Sequence, residues 1–315
     1  MEFVDLFCGA GGLSLGLRQA GLHQRLAVDA DKLAVATYKR NFPRSRVVQA
    51  TIETLTRKDI RGAVNDTGNY VLAGCPPCQL FSRLHQKDPG GDHVIFSYLA
   101  LVKAVRAPYL VFENVPQITK YSQIWSTFLA TLHESGYELW SEVVNAADFG
   151  VPQHRRRIVV IASRRGMVTP LLRKCTLRTV RDAIYNLAED DDSIGNHVTL
   201  KMSPANLARI QKISSAGGGS RKGDVFSDSY SRMHWDRPAP TITTRCISFS
   251  NGRFGHPEYN RALTVREAAR LQGFPDSFVF EGGVWNAAKQ VGNAVPPPLA
   301  RWLGRAILKH ESLRS

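Results

Sequence analysis

Through its first half the chain alternates short apolar runs with longer amphipathic segments, and that rhythm leaves few folds open. "EFVDLF" is followed by "GGLSLGLRQAG", "RLAVDA" by "DKLAVATYKRNF", and then comes "RVVQAT". "YVLAG" precedes "DHVIFSYLALVKAV", and "YLVFEN" precedes "SQIWSTFLATLHESG". Apolar runs of four to eight residues read as strands, and the longer segments carry helical spacing. Gly21, Pro43, Pro108 and Gly136 mark where the helices stop. Strand, helix, strand in this order predicts βαβ units, hence an α/β fold with a doubly wound, mostly parallel sheet covered by helices on both faces. "ELWSEVVNAADFG" and "RRIVVIAS" add two further strands.

From Glu189 the pattern changes to "EDDD", "SSAGGGSRKG" and "RPAPTITTRC", with few long periodic stretches. We therefore expect a large domain over 1–188, completed by the helical segment 289–315, and a smaller loop-rich domain over 189–288. No internal repeat is visible.

In open parallel sheets ligands bind beyond the carboxyl ends of the strands. The residues following the five apolar runs are "FCGAGG" (7–12), Asp29, Thr51, "PPCQ" (76–79), and Glu113 with Asn114. Small, polar or reactive groups thus collect on one rim. A glycine-rich turn lets a ligand approach the backbone, and an acid ending the next strand can accept hydrogen bonds from ribose hydroxyls. "GAGG" lacks the spacing of G-x-G-x-x-G, which favours an adenosine compound other than a dinucleotide.

"GCPPCQLFS" (74–82) holds Cys75 and Cys78 with two prolines between them. Three occupations are open: a redox pair, half of a metal site, or one nucleophile with a bystander. There is no second C-x-x-C to complete a zinc site, and the nearest histidine, His85, belongs to a loop. The prolines stiffen the loop where a thioredoxin-like pair would open a helix. One working thiol at a strand end, across the rim from Glu113, suits covalent catalysis better.

Composition narrows the partners. Lys and Arg number 41 against 27 Asp and Glu, a formal charge of +14, and such a balance favours polyanions. No apolar run reaches the roughly 18 residues a membrane span requires. "MEFVDLFCGAGG" has no basic n-region, so an intracellular protein is expected. Five scattered cysteines speak for reduced thiols over a disulfide framework.

Seven ordered blocks make the chain resemble the DNA (cytosine-5)-methyltransferases over essentially its whole length. They are "DLFCGAGGLSLG" (5–16), "GCPPCQLFS" (74–82), "FENV" (112–115), "GVPQHRRRIVVIA" (150–162), "RPAPTI" (237–242), "LTVREAARLQGFPDSF" (263–278) and "QVGNAVPPPLA" (290–300). The resemblance implies methyl transfer from S-adenosylmethionine, without a metal, to C5 of a cytosine flipped out of a specific double-stranded DNA sequence. Cytosine C5 is too poor a nucleophile to take a methyl group directly. By the resemblance Cys78 adds at C6 and pushes electrons to C5, and Glu113 protonates or hydrogen-bonds N3. Asn114 anchors the Glu113 loop, Arg157 with Arg155 holds the base carbonyl and a phosphate, and Cys75 is a buried filler. Gln79, Ser82 and Arg245 meet the DNA.

The cofactor residues implied are Phe7, Cys8, Gly9, Ala10, Gly11, Gly12, Asp29, Thr51 and Ile52, with Asn293 and Val295 on a returning segment. The smaller domain reads the target sequence. A monomer in the cytoplasm, associated with the nucleoid when bound to DNA, and a partner restriction endonuclease acting on the same site complete the expectation.

The chain also departs from that family. Ala30 stands where relatives often carry an aromatic after the ribose acid, and Thr51 where they often carry an aspartate, with Asp59 a possible substitute. "DPGGDH" lacks an arginine common in that loop. Two alternatives stay open: a tRNA cytosine-5 methyltransferase, whose usual Cys-Phe-Thr is replaced here by "RCISF", and a silent DNA-binding homologue.

Overall fold

The computed structural model of the chain describes residues 1–65, 68–77, 92–171, 175–187, 189, 193–214 and 229–314. It divides into two compact units, the first comprising 1–145, 156–173 and 299–315, the second 146–155 and 174–298.

The first unit runs β1 (Glu2–Leu6), α1 (Gly12–Ala20), β2 (His23–Asp29), α2 (Lys32–Asn41), β3 (Val47–Gln49), α3 (Arg57–Arg61), β4 (Tyr70–Gly74), α4 (Asp92–Val105), β5 (Tyr109–Asn114), α5 (Ser122–Glu134), β6 (Glu138–Asn145) and β7 (Arg156–Ser163). The strands form one sheet in the order β3-β2-β1-β4-β5-β7-β6. β1 to β5 are parallel, and β7 is antiparallel to both its neighbours. The expected α/β architecture with a mostly parallel sheet is therefore present. Strand order reverses between β1 and β4, which makes the rim above them the place for a ligand.

Every residue of β4 and β5 is buried, as continuous apolar runs in a sheet covered on both faces require, whereas β6 at the edge keeps exposed positions. Leu6, Leu72, Leu110 and Phe112 of the sheet pack with Ile95, Tyr98 and Val102 of α4 and Phe128 of α5. Asp31 starts α2 by accepting from the amides of Leu33 (2.9 Å) and Ala34 (3.4 Å), which fixes the chain direction just after β2.

The second unit holds the short helices α6 (Val180–Ile184), α7 (Pro204–Ile210), α8 (Val265–Gln272) and α9 (Val284–Asn293). Among the described residues its only β pairing is a few isolated bridges. With so little regular structure, many backbone carbonyls have no ladder partner, and buried arginines take that role. Arg232 donates to the carbonyls of Ile210, Ile213, His256, Glu258 and Tyr259. Arg266 donates to those of Gly195, Pro275 and Phe278. Arg261 forms a bidentate pair with Glu267 at 2.9 and 2.8 Å, and Glu267 also closes the capping box of Thr264 that opens α8.

α10 (Pro297–Ser312) follows, and from residue 299 it is part of the first unit. A Cβ on Gly304 would lie 2.7 Å from that of Ala20, so only glycine admits so close an approach to α1. Tyr109 at the start of β5 donates to Glu311, which also pairs with Arg165 at 2.6 Å. Among the described residues no helix is long and apolar enough to cross a membrane.

Candidate active site

The glycine turn begins where β1 ends. Phe7, Gly9 and Gly11 all take positive φ (56°, 52° and 100°), folding the backbone tightly before α1. Beneath Gly11 stand the rings of Phe42 and Tyr38, and a Cβ there would sit 2.6 Å from the Phe42 ring. Above Gly9 nothing lies within 4 Å of where a Cβ would be. The side chains of Cys8 and Ala10 turn inward and are buried, as is Gly12 in the first turn of α1, so this stretch presents backbone outward.

Asp29 ends β2 and is tied into the turn. One carboxylate oxygen accepts from the Gly9 amide and the other from the Asp31 amide, both at 2.8 Å. Each oxygen keeps a lone pair for a further donor. Burial raises its pKa above the usual carboxylate range, against the pull of those two amides. Ala30 beside it is exposed. Thr51 follows β3 and is exposed, and Ile52 is buried. Asp59 sits on α3, its carboxylate engaged by the amide and hydroxyl of Thr56 at 2.9 and 2.6 Å. Those bonds hold its pKa below the usual range. Of the two alternatives at the third strand, Thr51 is the one at a strand end.

On the other side of β1, Gly74 closes β4, and the Cys75 amide donates to the Leu6 carbonyl at 3.4 Å. A Cβ on Gly74 would lie 2.7 Å from the ring of Tyr98, which fills the space beneath this turn. Cys75 is half-buried, and burial, followed by the nearby carboxylates of Glu113 and Asp5, pushes its thiol well above the ordinary range. Such a thiol stays protonated, as the filler role requires. Cys78, Gln79 and Ser82 lie outside the described residues.

Glu113 and Asn114 end β5. Asn114 donates to the Pro76 carbonyl at 3.1 Å and accepts from the Val115 amide at 2.8 Å. It thereby fastens the chain two residues before Cys78. Glu113 pairs in register with Val159 of β7, which makes Arg157 its diagonal neighbour. The Arg157 guanidinium Nε lies 3.1 Å from the Glu113 carboxylate, and both side chains are largely enclosed.

Arg155 is placed elsewhere than the resemblance implies. It is buried in the second unit, where its guanidinium donates to the carbonyls of Ile242 (2.9 Å), Gly292 (2.9 Å) and Ala294 (3.2 Å). In this position it holds backbone. Gln153 donates to the Leu271 carbonyl and the Gln272 side-chain oxygen and accepts from the Ile242 amide. Arg245 is exposed on a turn, Asn293 is the exposed last residue of α9, and Val295 is buried just beyond it. Arg156 is exposed. Among the described residues no group of three or more metal-ligating side chains converges.

Two buried groups escaped the sequence reading. Tyr98 left no signal, because nothing in a helix's own sequence says which turn it underlies. Asp5 did leave one, an acid inside the apolar run of β1. Its Oδ2 accepts from the Ser14 hydroxyl at 2.5 Å, Ser14 accepts from the Tyr38 hydroxyl at 2.7 Å, and Oδ1 is buried with no hydrogen-bond partner among the described residues. S-adenosylmethionine suits these surroundings: backbone open above Gly9, an acid for ribose hydroxyls at Asp29, and an uncompensated buried carboxyl below a ligand that carries positive charge.

Comparison with known proteins agrees. A family model described as C-5 cytosine-specific DNA methylase matches residues 1–309. The chain is 33% identical to the type II methylase M.HgiDII of Herpetosiphon aurantiacus, over 96% of this chain and 94% of that protein. It is 36% identical to the type II methyltransferase M1.HphI of Haemophilus parahaemolyticus, over 98% and 87%. A crystal structure from E. coli, described as a DNA modification methyltransferase encoded within a prophage, superposes with a TM-score of 0.80 at 26% identity, covering 99% of both chains. The S. pombe Dnmt2 methyltransferase shares the fold, with a TM-score of 0.73 at 19% identity over 99% of both chains.

Proposed function

This chain belongs to the C-5 cytosine-specific DNA methylase family and is a DNA cytosine-5 methyltransferase, and on that premise we propose how its residues share the work. The rim above β1 and β2 takes S-adenosylmethionine, with the backbone of Phe7 to Gly12 beneath it, Asp29 on the ribose, and Thr51 and Ile52 beside the adenine. When bound, that cofactor supplies an activated methyl group. Asn293 and Val295 are the second unit's candidates for the same ligand.

Cys78 is the nucleophile toward C6 of the flipped cytosine. The observation that carries the reading is the pair of links at the end of β5: Glu113 held by Arg157 at 3.1 Å, and Asn114 holding the Pro76 carbonyl at 3.1 Å. An acid oriented by a guanidinium holds its carboxyl toward N3 while C6 is attacked, and a hydrogen bond there absorbs the charge that addition creates. Arg157 remains beside the same base for its carbonyl oxygen. The stretch 189–288, with Arg245, reads the DNA sequence, and Gln79 and Ser82 close over the duplex. The relatives named type II methyltransferases support a cognate endonuclease acting on the same site. The enzyme works as a monomer in the cytoplasm, on the nucleoid.

A duplex carrying 5-fluorocytosine tests the assignment, because fluorine at C5 blocks the elimination that frees the thiol. The parent enzyme and Cys75→Ala should both be trapped as covalent complexes on a denaturing gel. Trapping that survives in Cys78→Ser would sink it.

A further inference from the structure

Asp5 is unused by the chemistry above, and its position is unusual. It lies inside β1, flanked in register by Ala27 of β2 and Ala73 of β4, and is fully buried. Its Oδ2 closes a chain running from Tyr38 through Ser14, the ring of Tyr38 being the floor under Gly11. Among the described residues its Oδ1 has no hydrogen-bond partner. The titratable groups that share its electrostatics are Asp29 at the end of β2, Cys8 in the turn, Tyr38 on α2 and Cys75 after β4. Of these only Asp29 can carry a charge near neutral pH, and it disfavours a negative charge on Asp5; the thiols and the phenol are held protonated. Burial, the largest cause, pushes its carboxyl up to about 7. A buried oxygen without a hydrogen bond is costly to keep.

We propose that Asp5 is the buried counter-charge for the cationic end of the cofactor, and that binding expels a proton from the Asp5, Ser14 and Tyr38 chain to solvent. The proposal rests on the S-adenosylmethionine reading above. That ligand's methionine end carries a sulfonium and an ammonium against one carboxylate, leaving it net positive. Asp5 already acts on Cys8 in the turn, and Asp29 at the neighbouring strand end acts on Asp5. In a low-dielectric interior a cation over Gly9 to Gly11 favours the ionised carboxylate without touching it. The sign follows. Binding lowers the Asp5 pKa, so affinity should rise as pH rises through the cofactor-free value, and level off above it.

Calorimetric titration in buffers of different ionisation enthalpy counts the protons. At pH 6.5, where the ligand's ammonium is already formed, S-adenosylmethionine should release about three-quarters of a proton per site, and its Kd should tighten by about tenfold between pH 6 and 8. 5′-Methylthioadenosine keeps the ribose and adenine but has neither charged group; it should release none, which separates Asp5 from Asp29. Asp5→Asn should abolish the release with S-adenosylmethionine. If that variant does not fold, the contrast between the two ligands on the parent protein still decides. Failure of either ligand to bind overturns the cofactor reading. Binding without proton release, equal release with both ligands, or release that persists in Asp5→Asn overturns the Asp5 assignment alone.

Discussion

Arg155 and Arg157 stand two residues apart in one basic turn and do different work. Arg157 meets Glu113, while Arg155 is buried among three backbone carbonyls. Nothing in "QHRRR" distinguishes them, because the difference lies in what folds around each, and the partners of Arg155 lie 87 to 139 positions along the chain. The third strand end was more legible. Thr51 occupies the place after β3, and Asp59 is held in the capping box of α3. Thr51→Asp should therefore tighten S-adenosylmethionine binding, by about tenfold at most, since a hydrogen bond to a charged acceptor contributes about 1.5–3 kcal/mol before desolvation is subtracted. Asp59→Ala should loosen α3 and leave that affinity unchanged. Titrating both variants checks the alignment: a loss in Asp59→Ala with no gain in Thr51→Asp would mean Asp59 is the adenine contact.

The strands were readable because a sheet covered on both faces demands uninterrupted apolar runs, as in "YVLAG" and "YLVFEN". Close approaches between elements were not, because a glycine in sequence looks the same whatever stands over it. A Cβ on Gly292 at the end of α9 would lie 2.3 Å from the carbonyl carbon of Thr243, which is backbone and cannot rotate aside. At Gly74 the obstacle is the Tyr98 ring, which a second substitution can remove. Gly74→Ala should thus destabilise by about 1–3 kcal/mol, with much of the loss recovered in Gly74→Ala/Tyr98→Leu. Gly292→Ala should cost at least as much, with no such rescue from Tyr98→Leu. Urea unfolding of the four variants gives the comparison. Equal losses in the single and double Gly74 variants would show that the ring is not the obstacle.

For the whole molecule, the excess of 41 basic over 27 acidic side chains pointed to a polyanion, and the family bears that out. Charge counting overstates the surface, however, because Arg155, Arg232, Arg261 and Arg266 are buried. The salt dependence of DNA binding should separate the two populations. Its log-log slope should fall by about 0.9 for each phosphate that is no longer neutralised, so Arg156→Ala, at an exposed position, should reduce it by about one. Arg155→Ala should lower stability instead, and a slope unchanged by Arg156→Ala would remove that residue from the DNA-binding surface. The buried arginines carry a consequence for how such an enzyme diversifies. Strands that hold each other by ladders must keep their alignment, and one inserted residue reverses every side chain. A backbone pinned at scattered points by guanidinium forks has no such alignment to lose. Between those pins the chain can lengthen, shorten or change composition while the pins hold. On the proposal that the stretch 189–288 reads the DNA, new sequence specificities can then arise by loop exchange within an otherwise unaltered catalytic protein.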